Sequence, residues 1–134
     1  MKIAKFEDIK AWQKAKELTK YIYDVTNKGD FAKDYSLKDQ IRRASISVMS
    51  NVAEGYARHT DREFAQFLYI ALGSIAELQS QVYLAQDLKY VSKEEFDKIY
   101  EQAAEAARLT TGFIKYLQGK SRQSADDYRL VTMD

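Results

Sequence analysis

Residues 40–55 read QIRRASISVMSNVAEG, and the spacing of apolar side chains through this stretch decides the fold. One stripe is Leu37, Ile41, Ala44, Val48 and Val52, stepping by threes and fours as one face of an α-helix does. A second stripe, Ile46, Met49, Ala53 and Tyr56, runs along a different face. The sequence therefore predicts a helix from Leu37 to about Arg58 with two faces to bury. A small monomeric helical bundle covers one face of each helix. The second stripe is therefore read as a subunit interface. Ser47 and Ser50, an asparagine, a glutamate and paired arginines interrupt the same stretch and form a polar seam.

The neighbouring segments follow the same period. Trp12, Ala15, Leu18, Ile22 and Val25 predict a first helix from about Asp8 to Asn27, stopped by Gly29, which reaches positive φ without steric cost. Ser36 with Asp39 resembles a cap for the second helix. Thr60 with Glu63 forms a capping box for a third helix from Asp61 to about Lys89. Its core stripe is Phe64, Phe67 or Leu68, Ala71, Ile75, Leu78, Val82 and Ala85. Ser92 with Glu95 opens a fourth helix that runs to about Gln118. There Phe96, Ile99, Ala103, Ala106, Thr110, Phe113 and Leu117 keep heptad register. Short connections favour antiparallel neighbours. The expected fold is all-α, an antiparallel up-down-up-down four-helix bundle over residues 1–119. Residues 120–134 are a C-terminal tail, polar until Tyr128 and then RLVTM. Docking on its own bundle and docking on a neighbouring chain are the two alternatives for that end.

Composition narrows function by exclusion. The chain has 134 residues, 46% hydrophobic and 31% charged, with no proline and five glycines. That profile belongs to one globular helical domain. Without cysteine there are no disulfides, thiolate metal sites or cysteine nucleophiles. The single histidine, His59, falls at a helix junction and leaves serines without a base and carboxylates without the Glu-x-x-His motif of di-iron bundles. The glycines are scattered rather than gathered into a phosphate loop. No catalytic, cofactor or metal residues are expected. No apolar run reaches the ~20 residues of a membrane span, and the start MKIAKFEDIK is too charged for a signal peptide's apolar segment. A soluble cytoplasmic protein with no membrane contact is expected.

Two polar groupings remain as candidate sites. Arg43, Ser47, Ser50 and Glu54 are spaced four, three and four and share a helix face; Arg42, Asn51 and Glu77 complete the candidate interface seam. Glu54 or Glu77 is expected to pair with Arg42 or Arg43 in charge-assisted hydrogen bonds. The seam fixes helix register or subunit contacts in one reading and forms a ligand or phosphate pocket in the other. Charge provides the second grouping. Residues 1–43 carry eleven Lys and Arg against seven Asp and Glu, although the whole chain is only +1. Lys10, Lys14, Arg42, Arg43, Arg58 and Arg62 are the candidate contacts for RNA or DNA, with weak binding expected from the near-neutral balance. Ten tyrosines, among them Tyr21, Tyr23, Tyr69, Tyr83, Tyr100 and Tyr116, fit core edges and interfaces.

These residues resemble a known family. Phe6 and Trp12-Gln13-Lys14-Ala15 open the match. Leu37, Gln40, Arg42-Arg43-Ala44, Ser47, Ser50-Asn51, Ala53-Glu54-Gly55 and Arg58 continue it. Glu63-Phe64, Phe67-Leu68, Ala71, Gly73-Ser74, Glu77-Leu78 and Gln81 extend it further. Together they resemble the bacterial 23S rRNA-intervening-sequence protein family, also called "four helix bundle protein", over about residues 5–118. Ala32 and Met49 stand where that family commonly has proline, so a less kinked second helix is expected. The resemblance implies a compact four-helix bundle, a homo-oligomer forming a ring of five, and no established enzymatic activity. At the level of fold alone it extends to the accessory protein of diversity-generating retroelements, a pentameric bundle that binds a reverse transcriptase and nucleic acid. The expected function is a non-catalytic oligomeric scaffold or interaction module. The alternative is an RNA- or DNA-binding accessory protein of the ribonucleoprotein or reverse-transcriptase-partner type. The expected partners are further copies of itself, RNA or DNA, and an unidentified protein.

Overall fold

The computed structural model describes residues 3–119 and 131–132. Four helices account for most of them: α1 (Lys10–Thr26), α2 (Tyr35–Tyr56), α3 (Asp61–Asp87) and α4 (Lys93–Gln118). Short 3-10 turns at Phe6–Asp8 and Gly29–Lys33 precede α1 and α2. Each helix packs on the next and α4 closes back on α1, which makes an antiparallel four-helix bundle. The expected fold is the one observed. The expected tail, residues 120–134, lies outside the described residues except for Val131 and Thr132.

The helices begin where polar caps stand, with one exception. Thr60 accepts from the Glu63 backbone N–H at 3.1 Å, and its hydroxyl donates to the Glu63 carboxylate at 3.0 Å. Ser92 and Glu95 form the full reciprocal box. The cap of α2 is Asp34 rather than Ser36, because the turn at Gly29–Lys33 brings the chain in two residues earlier. Gly29 has φ +56°, the left-handed conformation its place after α1 required. At the end of α3, Lys89 adopts φ 62° and Tyr90 N–H reaches back to Ala85 O at 2.9 Å. That 6→1 bond is a Schellman closure, and it ends the helix two residues before the expected Lys89.

Asp34 also ties α2 to the far end of α3. Its carboxylate accepts from Leu37 N–H at 3.1 Å and from the Tyr90 hydroxyl at 2.9 Å. These bonds, the backbone one first, hold the carboxyl below the usual carboxylate range. The hydrogen bond to Asp34 correspondingly raises the Tyr90 hydroxyl above its ordinary value. A depressed carboxyl adds stability that is complete above its unfolded-state pKa and is lost as pH falls through the folded one. Thermal midpoints should therefore drop on acidification. Asp34→Asn keeps a capping oxygen but does not titrate, so it should flatten that acid limb; a parallel limb in the variant would show that Asp34 is not its source.

The core is a column of fully buried side chains: Leu18 and Ile22, Ile41 and Val48, Leu68, Ile75 and Leu78, Ile99 and Phe113, with Phe31 closing one end. Phe113 packs against Phe64 with ring centroids 4.9 Å apart. The first stripe of α2 is buried along its whole length. The second stripe is only partly covered: Met49 and Tyr56 pack against the core edge, while Ile46 is 39% exposed.

Candidate interaction surface

The polar seam divides between two neighbours of α2. Ser47 and Ser74 share a hydrogen bond at 2.8 Å across the α2–α3 contact. The Asn51 amide donates to Ser47 O at 2.8 Å and to Ser47 Oγ at 3.0 Å. Small hydroxyl side chains let the two helices approach, and the buried Ser74 hydroxyl is paired with that of Ser47. Arg42 turns the other way, toward α1. Its Nε donates to Thr26 Oγ1 at 2.8 Å, and its guanidinium lies 4.2 Å from the Tyr23 ring centroid.

The expected pairing of Glu54 or Glu77 with Arg42 or Arg43 does not form. Glu54 is reached first by Arg58, one turn later on the same helix, at 2.8 Å. Arg43, Ser50 and Glu77 stand exposed on the outer side of the α2–α3 pair. Of the seam residues, then, Ser47 joins α2 to α3 with Asn51 bonded to it from the next turn of α2, Arg42 joins α2 to α1, and the rest face outward. Arg42→Ala removes a charge-assisted hydrogen bond and a ring contact. It should lower stability by about 1–2 kcal/mol; an unchanged midpoint of denaturation would mean that neither contact holds in solution.

The candidate nucleic-acid contacts are similarly dispersed. Lys14 is half-buried between Glu17 at 3.4 Å and Glu105 at 3.8 Å. Arg58 lies over the Phe67 ring at 4.6 Å besides pairing with Glu54. Arg62 is exposed and lines an open cleft of about 360 Å³ with Asp61, Gln66, Tyr69 and Gln118. Lys10 occupies the first turn of α1 and is half-buried. The antiparallel order places Lys10, Lys14, Arg58 and Arg62 toward one end of the bundle, with Arg42 and Arg43 farther along it. His59 is exposed at the α2–α3 connection. Among the described residues there is no cluster of three or more His, Cys, Asp or Glu able to hold a metal. No helix among them is long and apolar enough to cross a membrane.

Five of the eight exposed large apolar side chains among the described residues lie on α3 or at its C-cap, where sequence periodicity did not single them out. Tyr69, Ile70, Tyr83, Leu84 and Leu88 are 45–54% exposed. Tyr69, Ala76 and Tyr83 are seven residues apart, and so are Ile70, Glu77 and Leu84, which makes two adjacent rows in heptad register. Gly73, also exposed, stands beside both rows. The opposite face of α3 is buried from Phe64 to Ala85. A helix with large apolar side chains on its outer as well as its inner face calls for cover on both. The signal was present in the sequence, but the stronger inner stripe of the same helix masked it. At one end the surface continues into α4, where Tyr83 packs against Phe96 and Tyr100 at 5.0 and 5.6 Å.

This bundle belongs to the 23S rRNA-intervening sequence protein family, whose family model matches residues 7–112. Among solved structures it is similar to one described as a protein with unknown function from the S23 ribosomal protein family of Bacteroides thetaiotaomicron VPI-5482. The TM-score is 0.71, with 23% identity over 78% of this chain and 98% of that one. At that identity the likeness shows the fold. No curated protein matches the chain.

Proposed function

We propose that this protein is a non-catalytic, self-assembling interaction module whose outward face of α3 is covered by further copies of the same chain. The observation that carries this is five large apolar side chains left about half exposed, four on α3 and the fifth at its C-cap. Isolated exposed apolar residues are ordinary on a surface; large apolar side chains grouped at Tyr69–Ile70 and again at Tyr83–Leu84 and Leu88 on one side of a helix favour a contact site. A closed ring, such as the ring of five that the family resemblance implies, needs two different faces on each copy. The half-covered stripe of α2 at Ile46, Met49 and Ala53 offers the second. Assembly makes stability depend on protein concentration through mass action. The thermal midpoint should therefore rise as the chain is concentrated over two decades; a constant midpoint would contradict assembly in that range.

A second reading, weak binding of RNA or DNA, is favoured by the α1–α2 side. Lys16 lies over Trp12 at 5.6 Å, Arg42 over Tyr23 at 4.2 Å and Lys38 over Tyr35 at 4.9 Å. Aromatic rings beside cations are the chemistry that single strands use for stacking and phosphate neutralisation. A ring of five would gather these faces and a charge of about +5. Binding of this kind weakens steeply with salt. An electrophoretic shift with structured RNA at ~50 mM salt that is lost at ~200 mM salt supports it, and no shift at the lower concentration removes it. An unidentified protein partner on the same outer surfaces is compatible with either reading.

A further inference from the structure

Three of the four helices begin with a polar side chain that accepts a first-turn N–H: Asp34, Thr60 and Ser92, each at 3.1 Å. The fourth, α1, begins at Ile9, which makes no side-chain capping bond, and its first turn contains no acidic residue. A helix start has N–H groups that its own backbone cannot satisfy, and an isoleucine offers them no oxygen. Apolar residues are among the poorest N-caps for this reason. Yet Ile9 is 0% exposed.

The chain's own C-terminal end covers this position. Thr132 pairs with Ile9 in an antiparallel bridge, and Val131 and Thr132 are 2% and 0% exposed. Val131 is part of the same apolar core as Ile9, Ala11 and Ala15. The N-terminal segment is built around the same place: Ile9 N–H donates to Phe6 O at 3.0 Å, and the Phe6 ring meets Trp12 edge-on at 5.1 Å. Val131 and Thr132 lie beyond residues 7–112, where the family model matches.

We propose that Val131–Thr132 is a latch: two residues from far along the chain that pack and pair on Ile9 and seal the start of α1, the one helix of the bundle without a side-chain cap. The socket beside Ile9 is then a binding site for an apolar–hydroxyl pair, filled in this structure by Val131 and Thr132 of the same chain. The proposal is independent of the outer face of α3, because the latch lies on Ile9 at the start of α1.

Amide hydrogen exchange on the full-length chain tests it. Val131→Asp should speed exchange about tenfold or more at Ile9 to Gln13 while leaving the middle turns of α2, α3 and α4 protected. A synthetic peptide of residues 126–134, DDYRLVTMD, added in trans should restore that protection; the same peptide carrying Val131→Asp should not. Should Val131→Asp fail to fold, Val131→Ala gives the same local pattern at smaller size. Unchanged exchange at the start of α1, or a loss spread evenly over all four helices, or a peptide without effect would overturn the latch.

Discussion

A chain carrying Ile70→Glu and Leu84→Glu is expected to be a well-folded monomer. Both side chains are about half exposed in the single chain, at 52% and 48%, so their replacement touches no core packing. Surface changes of that kind usually alter folding stability by within about 0.5 kcal/mol. Helical content should therefore match that of the unaltered protein. Association responds very differently. Both positions lie one heptad from Glu77 along the same outer row. Covering that row with a second copy would strip water from two added carboxylates per chain, at several kcal/mol for each one left unpaired. Every 1.4 kcal/mol is about tenfold in an equilibrium constant, so the assembly should dissociate throughout the micromolar range. An altered chain that keeps the mass of the unaltered one would mean the copies meet through another surface.

The second large effect is expected at Gly55, where α2 and α3 come closest. A Cβ placed there would lie 2.8 Å from Phe64 Cδ1 and 2.9 Å from Phe67 Cβ. A ring edge can give way, but Phe67 Cβ is fixed to the backbone of α3. Gly55→Val must therefore push the helices apart and disturb Phe64, which in turn packs on Phe113. The expected loss is about 3 kcal/mol, or roughly 10 °C in thermal midpoint for a chain of this size. The better helix propensity of valine recovers only a few tenths of a kcal/mol. Gly112 is the control, because nothing lies within 4 Å of the site where its Cβ would stand. Gly112→Ala should stabilise the chain by about 0.5–1 kcal/mol through reduced backbone entropy in the unfolded state. If both substitutions shift the midpoint in the same direction, the close approach at Gly55 is not present in solution.

Most of the fold was legible because it rests on local rules. Thr60 and Ser92 mark helix starts by their hydroxyls, Gly29 marks a stop by its positive φ, and the heptad of α4 runs unbroken from Phe96 to Leu117. α2 is one uninterrupted helix across Met49, as its lack of proline required. What sequence missed depends on contacts between distant segments. Arg42 finds Thr26 sixteen residues away rather than a carboxylate, because α1 lies against that side of α2. Ser47 finds Ser74 across twenty-seven residues, and Asp34 finds Tyr90 across fifty-six. Periodicity also reports the strongest stripe on a helix. The outer rows of α3 are weaker than its inner stripe because Glu77 and Ser80 interrupt them. Their meaning emerged only once the inner stripe was seen to be fully used. Nothing local marks Val131 as a core residue either, since its partner Ile9 stands at the opposite end of the chain.

The most direct test is the native mass of the unaltered, full-length chain at roughly 10 µM and moderate salt, where a specific assembly would be populated. A multiple of the 15.5 kDa protomer is the expected result. A single 15.5 kDa species, with Tyr69, Ile70, Tyr83, Leu84 and Leu88 all open to water, would contradict the account.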